Sequence, residues 1–136
     1  NYIKGRLGLV IDSTGRDYDM IARQHNQLKQ IGYDCYMVFV NTSLEVALAR
    51  NARRERSIPE YITTSSWNGV QSNMGKFQRL FGMSNFLVVD NNKSDLELTT
   101  LTMNRVSKEV RKYMKAPIQS YIAKRWMASE RKAKRR

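Results

Sequence analysis

A single cysteine, Cys35, and a single histidine, His25, leave this 136-residue chain with almost no soft metal ligands. Nothing repeats at ligand spacing, so no metal-ligating set is expected. One thiol cannot close an internal disulfide. A lone cysteine inside an apolar run reads as core, and a reducing, cytoplasmic location is the expectation. No apolar run approaches the ~20 residues that a membrane span needs, and no membrane partner is expected. No leader is legible either, because Asn1-Tyr2-Ile3-Lys4 leads straight into a strand-like segment. The chain does not open on methionine, as in a polypeptide that is processed, trimmed or part of something longer. Acid is scarce at one end. Residues 105–136 hold twelve Lys/Arg and two acids, so that segment carries +10 of the net +12 and residues 1–104 are nearly neutral.

What is present is an alternation of apolar runs and helical stretches in a chain long enough for one domain. The runs 7–12, 35–40 and 86–90 are continuous rather than alternating, as suits parallel strands covered on both faces. Tyr18, Ile21, His25 and Leu28 follow helical spacing, with Gly32 as a stop. Thr42-Ser-Leu-Glu45 and Ser94-Asp-Leu-Glu97 read as capping boxes. Trp67, Val70, Met74, Phe77 and Phe81 form a stripe that ends at Gly82. Leu96, Met103, Val106, Val110 and Tyr113 share a face before Pro117. Ile118, Ile122 and Trp126 mark a last helix over 118–132, with residues 131–136 expected as a disordered tail. Strand–helix alternation predicts an α/β fold with a three-layer parallel sheet. Residues 1–104 form its body and 105–136 a basic helical arm.

Three stretches could carry chemistry. In "RLGLVIDSTGRDYDMI", Asp12 ends an apolar run and precedes a small, hydroxylated turn. Such an Asp either caps the next helix or stands at a strand's carboxyl end as a general base or beside magnesium. In "ARNARRERSIPEYI", Arg50, Arg53, Arg54 and Arg56 crowd seven positions at a helix end. They form a solvated face favoured by the helix dipole, or a guanidinium cluster suited to phosphate oxygens. The segment that follows is long for a connector, and a mobile lid over about 50–82 is the expectation. The third stretch, "VVDNNKSD", follows the last strand and is either an ordinary turn or the flank of a nucleotide base.

The order of these stretches resembles the C-terminal half of P-loop small kinases, closest to the zeta-toxin and polynucleotide-kinase group often met in phages. The resemblance rests on Val10-Ile-Asp12-Ser-Thr14-Gly15 and on Thr42-Ser-Leu44-Glu45-Val-Ala47, and covers roughly residues 6–92. It implies catalytic roles for Asp12 as base and for Arg50, Arg53 and Arg54 on phosphate. It implies substrate contacts from Thr14 and from an arginine that is Arg16 or Arg23, and nucleotide contacts from Arg56, Asn91 and Asn92. ATP and Mg2+ are the implied cofactors, and a host cytoplasm the implied location for a phage-encoded chain. Gly15 replaces the usual Asn of the motif.

One departure is large: the sequence contains no G-x-x-x-x-G-K-[S/T]. The family's topology sets the strand before that loop between the strands matching 7–12 and 35–40. Without it, strand edges lie unpaired in a core, at about 1–3 kcal/mol per buried amide against a domain stability of about 5–15 kcal/mol. A P-loop-bearing N-terminal segment or companion chain is therefore the expected partner. The basic arm adds a second expected partner, nucleic acid, through Arg111, Lys112, Lys115, Lys124, Arg125 and Trp126. A solvated face or membrane-surface binding are the other readings of that arm. Two functions follow: part of an ATP-dependent kinase acting on a nucleic-acid end, nucleotide or small hydroxylated substrate, or a non-catalytic remnant that binds nucleic acid or assembles with a partner.

Overall fold

Single side-chain oxygens set most helix starts in this chain; the helix that follows Pro59 has no side-chain cap. The computed structural model describes residues 2–136 and contains α1 (Tyr18–Gln30), β1 (Met37–Asn41), α2 (Leu44–Ala52), α3 (Glu60–Phe81), a 3-10 turn (Met83–Asn85), β2 (Phe86–Asp90), α4 (Leu96–Lys115) and α5 (Tyr121–Lys134). Asp17, Ser43, Asp95 and Ser120 cap α1, α2, α4 and α5, each accepting from the amide three residues on. In both capping boxes the cap is thus the second residue, Ser43 or Asp95, one position later than the motif suggests. At the first box, Thr42 instead turns its carbonyl to the Trp67 indole (2.8 Å). The tail expected at 131–136 is also corrected, because α5 runs on to Lys134. α4 passes unbroken through the 104/105 boundary, which is a change in charge and not in backbone.

The sheet has two parallel strands, with Met37 opposite Phe86 and Asn41 opposite Asp90. The third expected strand, 7–12, forms no strand. Leu7, Val10 and Ile11 are 53%, 100% and 52% exposed. Its residues are as apolar as those of β1 and β2, but a strand exists only as a ladder with a neighbour, and the described residues offer none beside it. The expected three-layer sheet is therefore represented by two strands and their helices. The segment is tethered to the loop after α1, where the Tyr33 hydroxyl donates to the Leu7 carbonyl (2.8 Å).

The core is small and centred on α3. Phe77 is fully buried, with Phe39 of β1, Ile21 of α1 and half-buried Met37, Val70, Met74, Phe81 and Phe86 around it. Ring contacts hold this cluster: Tyr18 on Phe77 at 5.5 Å, Phe39 on Phe86 at 5.9 Å, and His25 edge-on to Phe81 at 4.7 Å. The helical stripe read from Trp67 to Phe81 is thus the core face of α3. α4 contacts β2, and its Tyr113 stacks on Tyr36 at 4.3 Å. Cys35 is half-buried before β1, and burial pushes its thiol pKa up. Among the described residues no helix is long and apolar enough to cross a membrane.

Candidate functional site

Two polar clusters hang on α3, both beside the carboxyl ends of the strands. The first is the turn after Asp12. Ser13 and Thr14 hydroxyls accept from the amides of Gly15 and Arg16 (3.4 Å each), and Gly15 takes φ +74°. That left-handed angle suits glycine. A Cβ at Gly15 would stand 3.8 Å from both Val70 and Phe77, so the turn lies over α3. Asn73, 5% exposed, donates from Nδ2 to the carbonyls of Gly15 (3.1 Å) and Arg16 (2.8 Å). Asp12 is exposed at the start of this turn, and Asp17, not Asp12, caps α1.

Thr14, Arg16, Asp17, Tyr18, Asp19, Asn73 and Lys76 line an open polar cleft of about 600 Å³. The stem of Arg16 runs beside Gly69, where a Cβ would stand 3.4 Å from Cγ. Lys76 Nζ lies 5.5 Å over the Tyr18 ring. The cleft thus combines two cations with two carboxylates. Arg23 is exposed on α1, outside it.

The second cluster closes the strand ends. The Asn91 amide donates to the Asn41 carbonyl (2.8 Å), and Gln71 of α3 donates to the Asn41 side chain (2.7 Å). Asn92 donates to Asp90 from its backbone (2.9 Å) and its side chain (2.7 Å), while its Oδ1 accepts from the Ser43 amide (2.6 Å). The Asn92 backbone N–H, more than any other group, holds the Asp90 carboxyl below its ordinary pKa. The Asn92 side chain therefore braces the start of α2. Arg50, half-buried, donates to the Lys93 carbonyl (3.3 Å).

Because α2 stops at Ala52, only Arg50 of the arginine cluster lies within the helix. Arg53 caps its end, Arg54 lies in the following turn, and these two and Arg56 are exposed. The loop is braced by Asn51, 7% exposed, whose side chain pairs both ways with the Ile58 backbone (2.7 and 3.1 Å). Of the segment expected as a lid, the part from Val70 onward is core, and the stretch 52–62 stays exposed. In the arm, Lys112 pairs with Glu109 (2.8 Å), while Arg111 and Lys115 are exposed at the end of α4. On α5, Lys124 is exposed, Arg125 lies over Tyr121, and Trp126 lies under the Arg6 guanidinium at 5.6 Å.

Trp67, Gln71 and Asn73 thus tie the Asp12 turn and the strand ends to neighbouring levels of one helix. Gln71 and Asn73 are about 3 Å apart along its axis. The carboxyl edge of a parallel sheet is where α/β proteins place ligands. Asn73, Asn51 and Gln71 were not among the residues singled out by sequence. The available signal was Asn73 itself, a polar residue within the Val70, Met74, Phe77 stripe. Among the described residues no three His, Cys, Asp or Glu side chains gather to hold a metal.

Residues 1–100 match the family described as Zeta toxin, a span that holds both polar clusters and ends inside α4, before α5 begins. No curated protein and no solved structure matches the chain. The mixed α/β architecture, with parallel strands and an acidic turn beside their carboxyl ends, is compatible with a fragment of a P-loop kinase-like fold. The chain belongs to the Zeta toxin family, which is P-loop kinase-like.

Proposed function

We propose that this chain is the acceptor-side part of an ATP-dependent kinase whose phosphate loop comes from a further P-loop-bearing segment or companion chain. The residues present do not hold a nucleotide and its magnesium by themselves. The sequence holds no glycine-rich lysine loop, and among the described residues no three His, Cys, Asp or Glu side chains gather. What the residues offer is one side of the reaction. Asp12 takes the proton from an acceptor hydroxyl, whose oxygen bonds to the γ-phosphorus as the bond to the departing ADP oxygen breaks. Arg50, Arg53 and Arg54 neutralise the charge on the transferring group, with Arg56 and Asn91 toward the nucleotide. Thr14 and Arg16 line the cleft that receives the acceptor, a nucleic-acid end, nucleotide or small hydroxylated molecule.

The observation that carries this reading is the open edge of β1. Only its β2 side is paired among the described residues, and the largely apolar segment 7–12 lies exposed without a strand beside it. A strand inserted between the two satisfies both and brings its own following loop to the carboxyl edge, next to Asp12. The completed sheet then has helices on both faces, and ATP supply assigns its work to the cytoplasm.

The test is ADP release, measured for the chain alone and mixed with a separately produced P-loop-bearing segment. The expected result is no magnesium-dependent turnover alone and clear turnover in the mixture. Asp12→Asn should reduce the mixture's rate by about a hundredfold or more. Turnover by the chain alone overturns the split-site reading. Turnover indifferent to Asp12→Asn removes Asp12 from the chemistry.

A further inference from the structure

Residues 105–136 carry more positive charge than the kinase reading uses. All twelve lysines and arginines there are exposed. Of these twelve, Lys112 pairs with Glu109 and the others form no ion pair. The family match ends at residue 100, so this surface lies outside the residues that the family accounts for.

α5 is docked in one orientation. The Asp34 carboxylate accepts from the amides of Gln119 (2.8 Å) and Ser120 (3.0 Å), satisfying donors that a helix start leaves free. Gly32, at φ +103°, lets the backbone of α5 approach, since a Cβ there would stand 3.1 Å from the Ala123 amide. Ile118, Trp126 and Met127 turn to the same corner and line a cavity of about 180 Å³ with Arg6 and Ile31. The inner face of α5 is therefore fixed around Ala123, Trp126 and Met127. At 3.6 residues per turn, the opposite face carries Tyr121, Arg125 and Lys132, with Lys124 and Arg135 on its flank.

We propose that this outer face of α5 binds the phosphate backbone of nucleic acid, independently of any phosphoryl transfer. Three arguments select that partner. A helix of fourteen residues is about 21 Å long, and a duplex presents about twelve negative charges over that length, enough to give every basic side chain on this face a phosphate. Tyr121, 70% exposed with Arg125 5.7 Å over its ring, adds a flat surface of the kind that stacks on bases. An interfacial membrane helix needs a free apolar face opposite its charges. Here Ile118, Trp126 and Met127 line the cavity at the 31–34 corner, and the outward face carries one large side chain, Tyr121, among its bases, too little for an apolar face.

The experiment is fluorescence anisotropy of a labelled 20-base-pair duplex titrated with the full chain, from 50 to 200 mM KCl, without ATP. About four phosphate contacts give a log–log salt slope near −3.6, hence roughly a hundredfold loss over that range. The triple variant Lys124→Gln, Arg125→Gln, Lys132→Gln should bind at least tenfold more weakly at 50 mM. Its slope should fall by about 3. Unchanged thermal unfolding of the variant shows that only the surface was altered. Duplexes of different sequence should bind alike, and a single-stranded 20-mer tells whether the backbone is read in duplex or single-stranded form. A flat salt response, a triple variant that binds like the parent, or phosphatidylserine vesicles that displace the duplex completely would each overturn the proposal.

Discussion

Asn73 occupies a core position in α3 without being apolar, and its side-chain amide spans two carbonyls of the turn that begins at Asp12. Asn73→Ala leaves the Gly15 and Arg16 carbonyls without their donor, at about 1–3 kcal/mol. The expected outcome in urea unfolding is a lower midpoint with an unchanged slope. In the completed kinase, a further loss of turnover should exceed the loss of folded protein, because the turn positions the base. Asp90 gives a pH signature. Its folded pKa is depressed, so its contribution is complete above the ordinary carboxylate value near ~3.9 and fades as pH falls through the folded value. Asp90→Asn should therefore flatten the fall in stability as pH drops below about 4, read by urea unfolding at each pH. Asn73 was visible in the sequence as a break in an apolar stripe. Its partners, Gly15 and Arg16, were not, because they lie 58 and 57 residues away and only the folded chain brings them together. Asp34 likewise holds the amide of the α5 cap residue, Ser120, 86 residues downstream, a pairing that no local pattern encodes.

Local periodicity carried most of the elements. α1, α3 and α4 lie where their stripes predicted, and β2 matches its run, because each is defined by spacing within itself. The segment 7–12 failed because a strand's existence depends on its neighbour and not on its own residues. β1 begins at Met37 rather than Cys35 for the same reason: the ladder starts only where Phe86 faces it. The docking of α5 also depends on contacts beyond the helix, and Gly32 tests it. Gly32→Ala places a methyl group 3.1 Å from backbone that cannot yield easily, at a φ of +103° that side chains rarely adopt. A fourteen-residue helix released from its dock is only marginally stable. The expected result in amide exchange is loss of protection throughout α5, with α3 and β2 unchanged. Equal loss in both would mean that the glycine supports the core rather than the dock.

At the scale of the whole molecule, the surface is too large for the mass. A compact monomer of 15.9 kDa exposes about 7,400 Å². This chain exposes 10625 Å², an excess of roughly 3,000 Å². A standard interface covers only about 800 Å² per partner, so the excess is large enough for the partner strand proposed above to cover. The inventory agrees: Ile21, Phe39, Phe77 and Val89 are the buried hydrophobic residues among those described, while Leu7, Val10, Ile11 and Val40 are more than half exposed. A two-stranded sheet is marginal alone, and each strand edge covered by a partner regains several hydrogen bonds while the apolar segment beside it is buried. The chain alone should therefore bind a hydrophobic dye, self-associate at micromolar concentration and unfold over a broad temperature range. Adding the P-loop-bearing segment should suppress dye binding and raise the midpoint by about 10 °C or more, a gain of several kcal/mol. Amide exchange should slow at 7–12 and along β1, while α5 stays as it was. A monodisperse monomer with a steep transition and no dye binding would mean that the exposed edge is stable as it stands, and that the missing strand is not required for this chain to fold.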